Sequence, residues 1–98
     1  MALEIVWSKR ADEKFDLILE YLSKEWGTNV TKAFIIKVYD FLDILSEFPE
    51  IGTLENKEKA IRGFVVIKQV SVFYTIRNNR IIILNFFDNR KSPSKKRF

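Results

Sequence analysis

The hydrophobic positions in the first half of the chain predict one short strand followed by two helices. Residues 3–7 alternate as expected for a strand with at least one buried face. Ser8 is a residue type favoured at helix N-caps, and the apolar residues after it recur at steps of four and three: Ala11, Phe15, Ile18, Leu22 and Trp26. Gly27 suits the C-cap of that helix and Thr28 the N-cap of a second one. Because the joint is so short, we predict an antiparallel helical hairpin.

The second predicted helix is apolar around more of its circumference than one contact requires. Its main stripe consists of Val30, Phe34, Val38, Phe41, Leu45 and Phe48. Outside that stripe lie Ile35, Ile36, Tyr39, Leu42 and Ile44. Two explanations remain open. Either the sheet and the first helix cover this helix on two sides, or part of its surface is a protein interface.

Residues 60–87 change to the two-residue period of strands. Pro49-Glu50-Ile51-Gly52 predicts a turn after the second helix, and residues 53–59 are interpreted as a polar loop. Strands are predicted over residues 60–68, 70–77 and 80–87, which are rich in β-branched and aromatic side chains.

Asn78-Asn79 predicts a two-residue hairpin turn, because asparagine tolerates positive φ. That turn sets Tyr74 opposite Ile83 and Ser71 opposite Phe86. Both faces of the hairpin are largely apolar, so the pattern does not decide which face the helices cover. We predict an α+β fold: an N-terminal strand, an antiparallel helical hairpin, then a three-stranded antiparallel meander, forming one sheet.

Length and composition narrow the chemistry. The 98 residues predict one domain, residues 1–98, and 47% hydrophobic content with nine Phe favours a compact fold. The absence of Cys and His excludes disulfides and thiolate chemistry and removes the commonest general base. Asp12, Asp16 and Glu20 are interpreted as a solvated helix face, so we expect neither a metal nor another cofactor. No signal peptide or membrane span is visible in the sequence, which favours a soluble cytoplasmic protein.

Basic and acidic residues are distributed unevenly along the chain. Residues 59–98 contain ten basic residues and one acidic residue, whereas residues 1–58 contain seven basic and twelve acidic residues. The net charge of +4 therefore divides into +9 and −5. A positive half of this kind is typical of a surface that meets a polyanion or an acidic protein. The alternative is a solvated basic tail at about residues 90–98 that maintains solubility.

The cations that could carry chemistry lie on or just after the predicted strands: Arg62, Lys68, Arg77, Arg80 and Arg90. Arginine can hold phosphate with two hydrogen bonds and can stabilise the phosphorane formed when RNA is cleaved by its own 2′-hydroxyl. Arg77 and Arg80 are explained more simply as solubilising residues at a hairpin tip, and Tyr74 as a core residue. Further target-binding candidates lie in the tail: Lys91, Lys95, Lys96 and Arg97.

Short segments of the sequence follow one another in an informative order and spacing. They are Ile5-Val6-Trp7-Ser8, Phe48-Pro49, Ile61-Arg62, Val72-Phe73-Tyr74-Thr75-Ile76, Ile81-Ile82-Ile83-Leu84 and Phe87-Asp88-Asn89-Arg90. Together they resemble the RelE/ParE superfamily of toxins from bacterial type II toxin-antitoxin systems, over about residues 3–93. The resemblance implies the fold predicted above, growth inhibition, plasmid stabilisation and neutralisation by a cognate antitoxin. We expect the antitoxin to contact Ile36, Tyr39, Phe64 and Val66.

The resemblance implies two possible targets: the ribosome and its mRNA for RelE-like endoribonucleases, or DNA gyrase for ParE-like inhibitors. Arg90 falls where RelE-like toxins keep a catalytic arginine, and Arg62 lies near a basic position of their second strand, so both would be catalytic only in a ribonuclease. Ser71 stands where those enzymes carry a phosphate-binding arginine. The tail has no Tyr or His, and Lys95 and Lys96 are the nearest substitutes. We therefore slightly favour gyrase inhibition. The alternatives are mRNA cleavage, a non-catalytic nucleic-acid or ribosome-binding module, and a toxin that only binds its antitoxin.

Overall fold

Two helices pack against one face of a five-stranded mixed sheet. The computed structural model describes residues 2–89. The elements run in the order β1 (Glu4–Trp7), α1 (Lys9–Trp26), α2 (Thr28–Glu47), β2 (Thr53–Asn56), β3 (Ile61–Ile67), β4 (Val70–Arg77) and β5 (Arg80–Asp88). Their order in the sheet is β1-β5-β4-β3-β2. β1 pairs with β5 in parallel, and the other neighbours are antiparallel. The predicted α+β class and helical hairpin are confirmed.

The sheet has one strand more than predicted. Residues 53–59 are not all loop, because Thr53–Asn56 pairs with β3 and places Leu54 opposite Arg62. This edge strand is four residues long and polar except for Leu54, so it lacks the alternation by which strands are recognised. The interpretation of residues 53–59 as a loop is therefore wrong for its first four residues.

The predicted boundaries of α1 are confirmed by its caps. Ser8 Oγ accepts a hydrogen bond from the Ala11 N–H at 3.0 Å and donates one to the Leu84 carbonyl at 3.0 Å, which fixes the start of α1 halfway along β5. Gly27 ends the helix with φ 89°. Thr28, predicted as the N-cap of α2, is instead its first helical residue, and Gly27 holds the N-cap position.

The turn between β4 and β5 is the predicted two-residue hairpin. Asn78 and Asn79 have φ values of 53° and 60°, the left-handed pair that a type I′ turn needs. The predicted register is confirmed from the turn as far as the pair Tyr74 and Ile83.

Beyond that pair a β-bulge changes the register. Leu84 is the extra residue of β5, and Ser71 pairs with Phe87 where Phe86 was predicted. Because neighbouring side chains of a strand point to opposite faces, the bulge turns Phe86 toward the helices and Phe87 away from them.

The helices cover the sheet face that carries Val70, Val72, Tyr74, Ile81, Ile83 and Phe86. The helical side of this core is formed by Ala11, Phe15, Leu22, Phe34, Val38, Phe41, Leu42 and Leu45. Phe15 contacts the Phe86 ring at a centroid distance of 5.3 Å. The opposite sheet face, here called the outer face, holds a smaller cluster of Ile61, Phe73 and Phe87 with Leu84 beside it. The structure thus shows which face of the β4–β5 hairpin the helices cover, which the apolar pattern alone could not decide.

Three residues of the predicted helix stripes are not buried. Trp26, Val30 and Phe48 are 65%, 44% and 66% exposed. Trp26 and Val30 are exposed because α1 is longer than the part of the sheet that lies beside it. α1 starts beside Leu84, and its 18 residues extend roughly 27 Å, whereas only about 13 Å of β5 remain beyond that point. The tip of the helical hairpin therefore projects past the end of the sheet.

Candidate functional site

The projecting hairpin tip forms an apolar groove with the end of the sheet, here called the tip groove. It encloses about 650 Å³. Its lining comprises Lys14, Leu17, Ile18, Tyr21, Leu22, Trp26, Val30, Ala33, Phe34, Lys37, Ile67, Gln69, Val70 and Asp88. Leu17 is 60% exposed and Trp26 65%. Clustered large apolar side chains at this exposure are typical of a docking surface.

The four residues predicted to contact an antitoxin occupy two different environments. Ile36 and Tyr39 are 60% and 54% exposed on α2, and neither lines the tip groove. Phe64 stacks on Phe41 at a centroid distance of 4.4 Å, and Val66 packs against the same core, so both are half-buried beneath α2. The tip groove was not predicted from the sequence because its residues come from five elements, and several of them belong to the predicted core stripes.

Arg62 lies on the helix-facing side of the sheet and holds the loop that follows α2. Its Nη1 donates to the Gly52 carbonyl at 2.8 Å and to the Glu50 carbonyl at 3.3 Å. Its Nη2 lies 3.9 Å from a Glu50 carboxylate oxygen, and 25% of the Arg62 side chain is exposed. Its cross-strand neighbour is Tyr74. The guanidinium thus fixes the backbone of residues 50–52.

Tyr74 anchors the same loop from below and is buried, as predicted. Its hydroxyl accepts a hydrogen bond from the Gly52 N–H at 2.8 Å and donates one to the Pro49 carbonyl at 2.8 Å. Burial raises the pKa of Tyr74 above its ordinary value of 10.0, while the hydrogen bond from Gly52 and the charge of Arg62 oppose that rise. The phenol is therefore a neutral structural group at physiological pH.

The remaining predicted target-binding cations are spread over the molecule. Arg77 and Arg80 face each other at the hairpin tip, and Arg80 Nε lies 2.9 Å from the Glu4 carboxylate. Lys68 lies in the turn at the other end of β4, roughly 23 Å away along eight residues of strand. The structure does not bring these three together. The predicted residues Arg90, Lys91, Lys95, Lys96 and Arg97 lie outside the described residues.

The outer face of the sheet is uncharged at its centre. Ser71, which the sequence resemblance predicts to replace the phosphate-binding arginine of RelE-like toxins, is 5% exposed and donates a hydrogen bond to Asn89 Oδ1 at 2.9 Å. Beside it lie the buried residues Phe73, Thr75 and Phe87. Within residues 2–89, the side chains of Ser71, Phe73, Thr75 and Phe87 place no cation at the centre of the outer face.

A second cleft, here called the cationic cleft, opens on the outer side near the hairpin tip. It is lined by Arg10, Glu58, Lys59, Ala60, Ile61, Thr75, Arg77 and Leu84 and encloses about 720 Å³. Of its three cations only Arg77 was a sequence candidate. Arg10 and Lys59 join it because α1 starts beside Leu84 and because the turn after β2 returns along β3.

Residues 2–89 contain no group of three or more acidic side chains placed to hold a metal ion. No helix of this part of the chain is long and apolar enough to cross a membrane.

The family comparison agrees with the fold and with the sequence motifs. The family model for the ParE toxin of the type II toxin-antitoxin system parDE matches residues 5–93. The chain belongs to the ParE toxin family. It is therefore the toxin of a type II toxin-antitoxin system, and the predicted superfamily is confirmed.

Solved structures of toxins share the fold of this ParE-family protein. A chain of the chromosomal ParDE toxin-antitoxin system from P. aeruginosa matches with a TM-score of 0.75 and 12% identity, covering 89% of this chain and 96% of that one. The YoeB/ParE toxin from Agrobacterium tumefaciens gives 0.64 and 11%, covering 88% and 98%. A chain of the E. coli DinJ-YafQ toxin-antitoxin complex gives 0.63 and 11%, covering 92% and 96%. A comparison with curated proteins gave no significant match.

Proposed function

We propose that this ParE-family toxin acts by binding and inhibiting DNA gyrase and does not cleave mRNA. The proposal is supported by the surroundings of Arg62 and Ser71, the two positions where a RelE-like toxin needs a free cation. Arg62 is engaged with loop carbonyls on the helix-facing side, and Ser71 is buried and uncharged on the outer face.

A catalytic role for Arg62 would require it to leave its present partners. Its guanidinium would have to release the Gly52 and Glu50 carbonyls and reach around the sheet to the outer face. Those carbonyls would lose charge-assisted hydrogen bonds, which are among the stronger ones in a protein. The geometry therefore favours a structural role for Arg62.

Two assays on the purified toxin test this proposal. The first measures supercoiling of relaxed plasmid by gyrase, and the second measures cleavage of a message on translating ribosomes. We expect inhibited supercoiling and an intact message, with supercoiling still inhibited by an Arg90→Ala variant. Cleavage of the message that disappears in Arg90→Ala would establish the ribonuclease alternative and overturn the proposal. Inactivity in both assays would also overturn it, in favour of a toxin that only binds.

We further infer that the tip groove receives the cognate antitoxin. The lining of the groove is mostly apolar and contains two lysines, Lys14 and Lys37, and one carboxylate, Asp88. An amphipathic segment with acidic flanks would bury its apolar side in the groove and place carboxylates near the two lysines. The relation of solved ParDE and DinJ-YafQ systems to this fold supports a protein antitoxin as the occupant.

Leu17 and Ile36 provide a matched pair for testing this surface, since each is 60% exposed on a helix. Leu17→Glu should weaken binding of the antitoxin at least about tenfold, because a carboxylate would enter an apolar groove, whereas Ile36→Glu should leave it within about threefold. Titration calorimetry with the purified antitoxin measures both. The opposite ranking would place the antitoxin on the outer surface of α2, where the sequence predicted Ile36 and Tyr39 as contacts.

A further inference from the structure

We propose that the cationic cleft binds a phosphate group of a nucleic-acid backbone. The inference does not depend on gyrase being the target, because it concerns a contact that the toxin makes with the nucleic acid itself.

Three cations reach the cleft from three separate elements. Arg10 lies in the first turn of α1, Lys59 in the turn between β2 and β3, and Arg77 at the end of β4. Ser8 holds the start of α1 against Leu84 of the cleft floor through a hydrogen bond of 3.0 Å, which brings the residues just after it to the same place. Cations from separate elements around one cavity can surround an anion from several directions.

The turn that carries Lys59 has a defined and strained backbone. Ala60 has φ 53°, a left-handed conformation that a residue with a Cβ rarely adopts. Hydrogen bonds hold it there: the Ala60 carbonyl accepts from Thr75 Oγ1 at 2.8 Å, and the Lys59 N–H donates to Asn56 Oδ1 at 2.9 Å. Strained residues held by their surroundings occur preferentially at binding and active sites.

Two of the cations stand where positive charge is unfavourable for the fold. Arg77 lies directly opposite Arg80 across the hairpin, an arrangement of like charges that destabilises a strand pair. Arg80 is paired with Glu4, whereas Arg77 forms no ion pair within residues 2–89. Arg10 lies at the N-terminal end of α1, where the helix dipole favours negative charge. A bound anion would offset the repulsion between Arg77 and Arg80 and would lie near the favourable end of the α1 dipole.

The lining favours a phosphodiester over other anions. Two arginines can each donate to the non-bridging oxygens of one phosphate, and arginine is the side chain best suited to this group. Ile61 and Leu84 give the cleft an apolar part beside the cations, against which a backbone sugar can pack. Glu58 also lines the cleft beside the three cations, so these four charged side chains carry a net charge of +2, which still attracts a single phosphate.

Fluorescence anisotropy with a labelled DNA duplex of roughly 20 base pairs tests the proposal on the full-length toxin, between about 50 and 200 mM salt. Arg77→Gln and Lys59→Gln should each weaken binding severalfold to about tenfold and lower the slope of log affinity against log salt by about one, as expected for one lost phosphate contact. The matched control is Lys24→Gln, which removes the same charge from an exposed position of α1 far from the cleft and should change affinity less than about twofold.

Thermal unfolding provides an independent check on the folding of these variants. Arg77→Gln should unfold at or above the wild-type temperature, since it removes a like-charge contact. If Arg77→Gln does not fold, Lys59→Gln carries the test alone.

Equal affinities and salt slopes for Arg77→Gln, Lys59→Gln and Lys24→Gln would overturn the proposal. So would binding of labelled polyglutamate by the same residues in place of the duplex. Neither gyrase nor ribosomes are present, so the outcome is separate from that of the gyrase proposal.

Discussion

Replacing Tyr74 with Phe removes one oxygen atom and should destabilise the protein by about 3 kcal/mol. The hydroxyl makes two hydrogen bonds of 2.8 Å, to the Gly52 N–H and the Pro49 carbonyl, in a side chain that is 0% exposed. Loss of the bond to Pro49 costs about 1 kcal/mol, and the buried Gly52 N–H left without a partner costs roughly 1–3 kcal/mol more. The change leaves the packing of the aromatic ring intact, so it isolates the polar contribution.

Urea titration followed by tryptophan fluorescence measures this change as a free energy of unfolding. For a chain of this size, a loss of about 3 kcal/mol corresponds to a fall in Tm of roughly 12 °C or more. Tyr39→Phe is the matched control. Its hydroxyl belongs to a side chain that is 54% exposed, so its removal should change stability by less than about 0.5 kcal/mol.

A Tyr74→Phe protein within about 0.5 kcal/mol of the wild type would refute the reasoning, because it would mean that the loop does not depend on the phenol. A change in the urea m-value without a change in midpoint would also contradict it, since that outcome reports on the unfolded state. The expected result is a lower midpoint at constant m.

Two further outcomes follow from the same region. Burial raises the pKa of Tyr74 above 10.0, so the folded protein keeps the phenol proton at pH values where the unfolded chain loses it. The contribution of this group to stability is therefore full below about pH 9 and is lost as the pH rises through 10 and beyond. Urea midpoints of the wild type should therefore decline more steeply between about pH 9 and 11 than those of Tyr74→Phe, and parallel curves would contradict this. Gly63→Ala should lower the free energy of unfolding by about 1–3 kcal/mol. The new Cβ would lie 2.9 Å from Cε1 of Phe73, whose side chain is 1% exposed. In urea titrations the double variant Gly63→Ala, Phe73→Leu should be more stable than the sum of the two single changes, and simple additivity would exclude the steric explanation.

The features that local chemistry determines were predictable from the sequence. Ser8, Gly27 and the pair Asn78-Asn79 each have a backbone or hydrogen-bonding preference that acts over a few residues, and each lies at the predicted boundary. Thr28 shows the limit of this approach, because Gly27 already provides the N-cap position of α2.

The features that depend on tertiary contacts were not predictable. The bulge at Leu84 changes the partner of every later residue of β5, and no local signal in the sequence marks it. The edge strand Thr53–Asn56 forms because β3 offers it backbone partners, not because of its own side chains. Exposure of Trp26 and Val30 depends on where α1 starts along β5, so a periodic apolar stripe could not distinguish core from groove.

The candidate sites show the same difference between features set by single residues and features set by tertiary contacts. The chemistry of single residues, such as the arginines and the missing His and Cys, was visible from the sequence. Their assembly was not, because Arg10, Lys59 and Arg77 line one cleft only after α1, the turn between β2 and β3, and strands β3 to β5 have packed. Arg62 lies on the predicted strand, now β3, but its engagement with the loop carbonyls depends on the turn after α2.

The pairing of β1 with β5 has a consequence for how the toxin is made. Glu4 lies beside Arg80, so β1 leaves the ribosome well before β5, the strand with which it pairs. The helical hairpin can form early, and its apolar side then has no complete sheet to cover it. A nascent chain therefore exposes the helical part of the toxin well before the finished domain exists, which gives a partner already present in the cell time to capture it during translation.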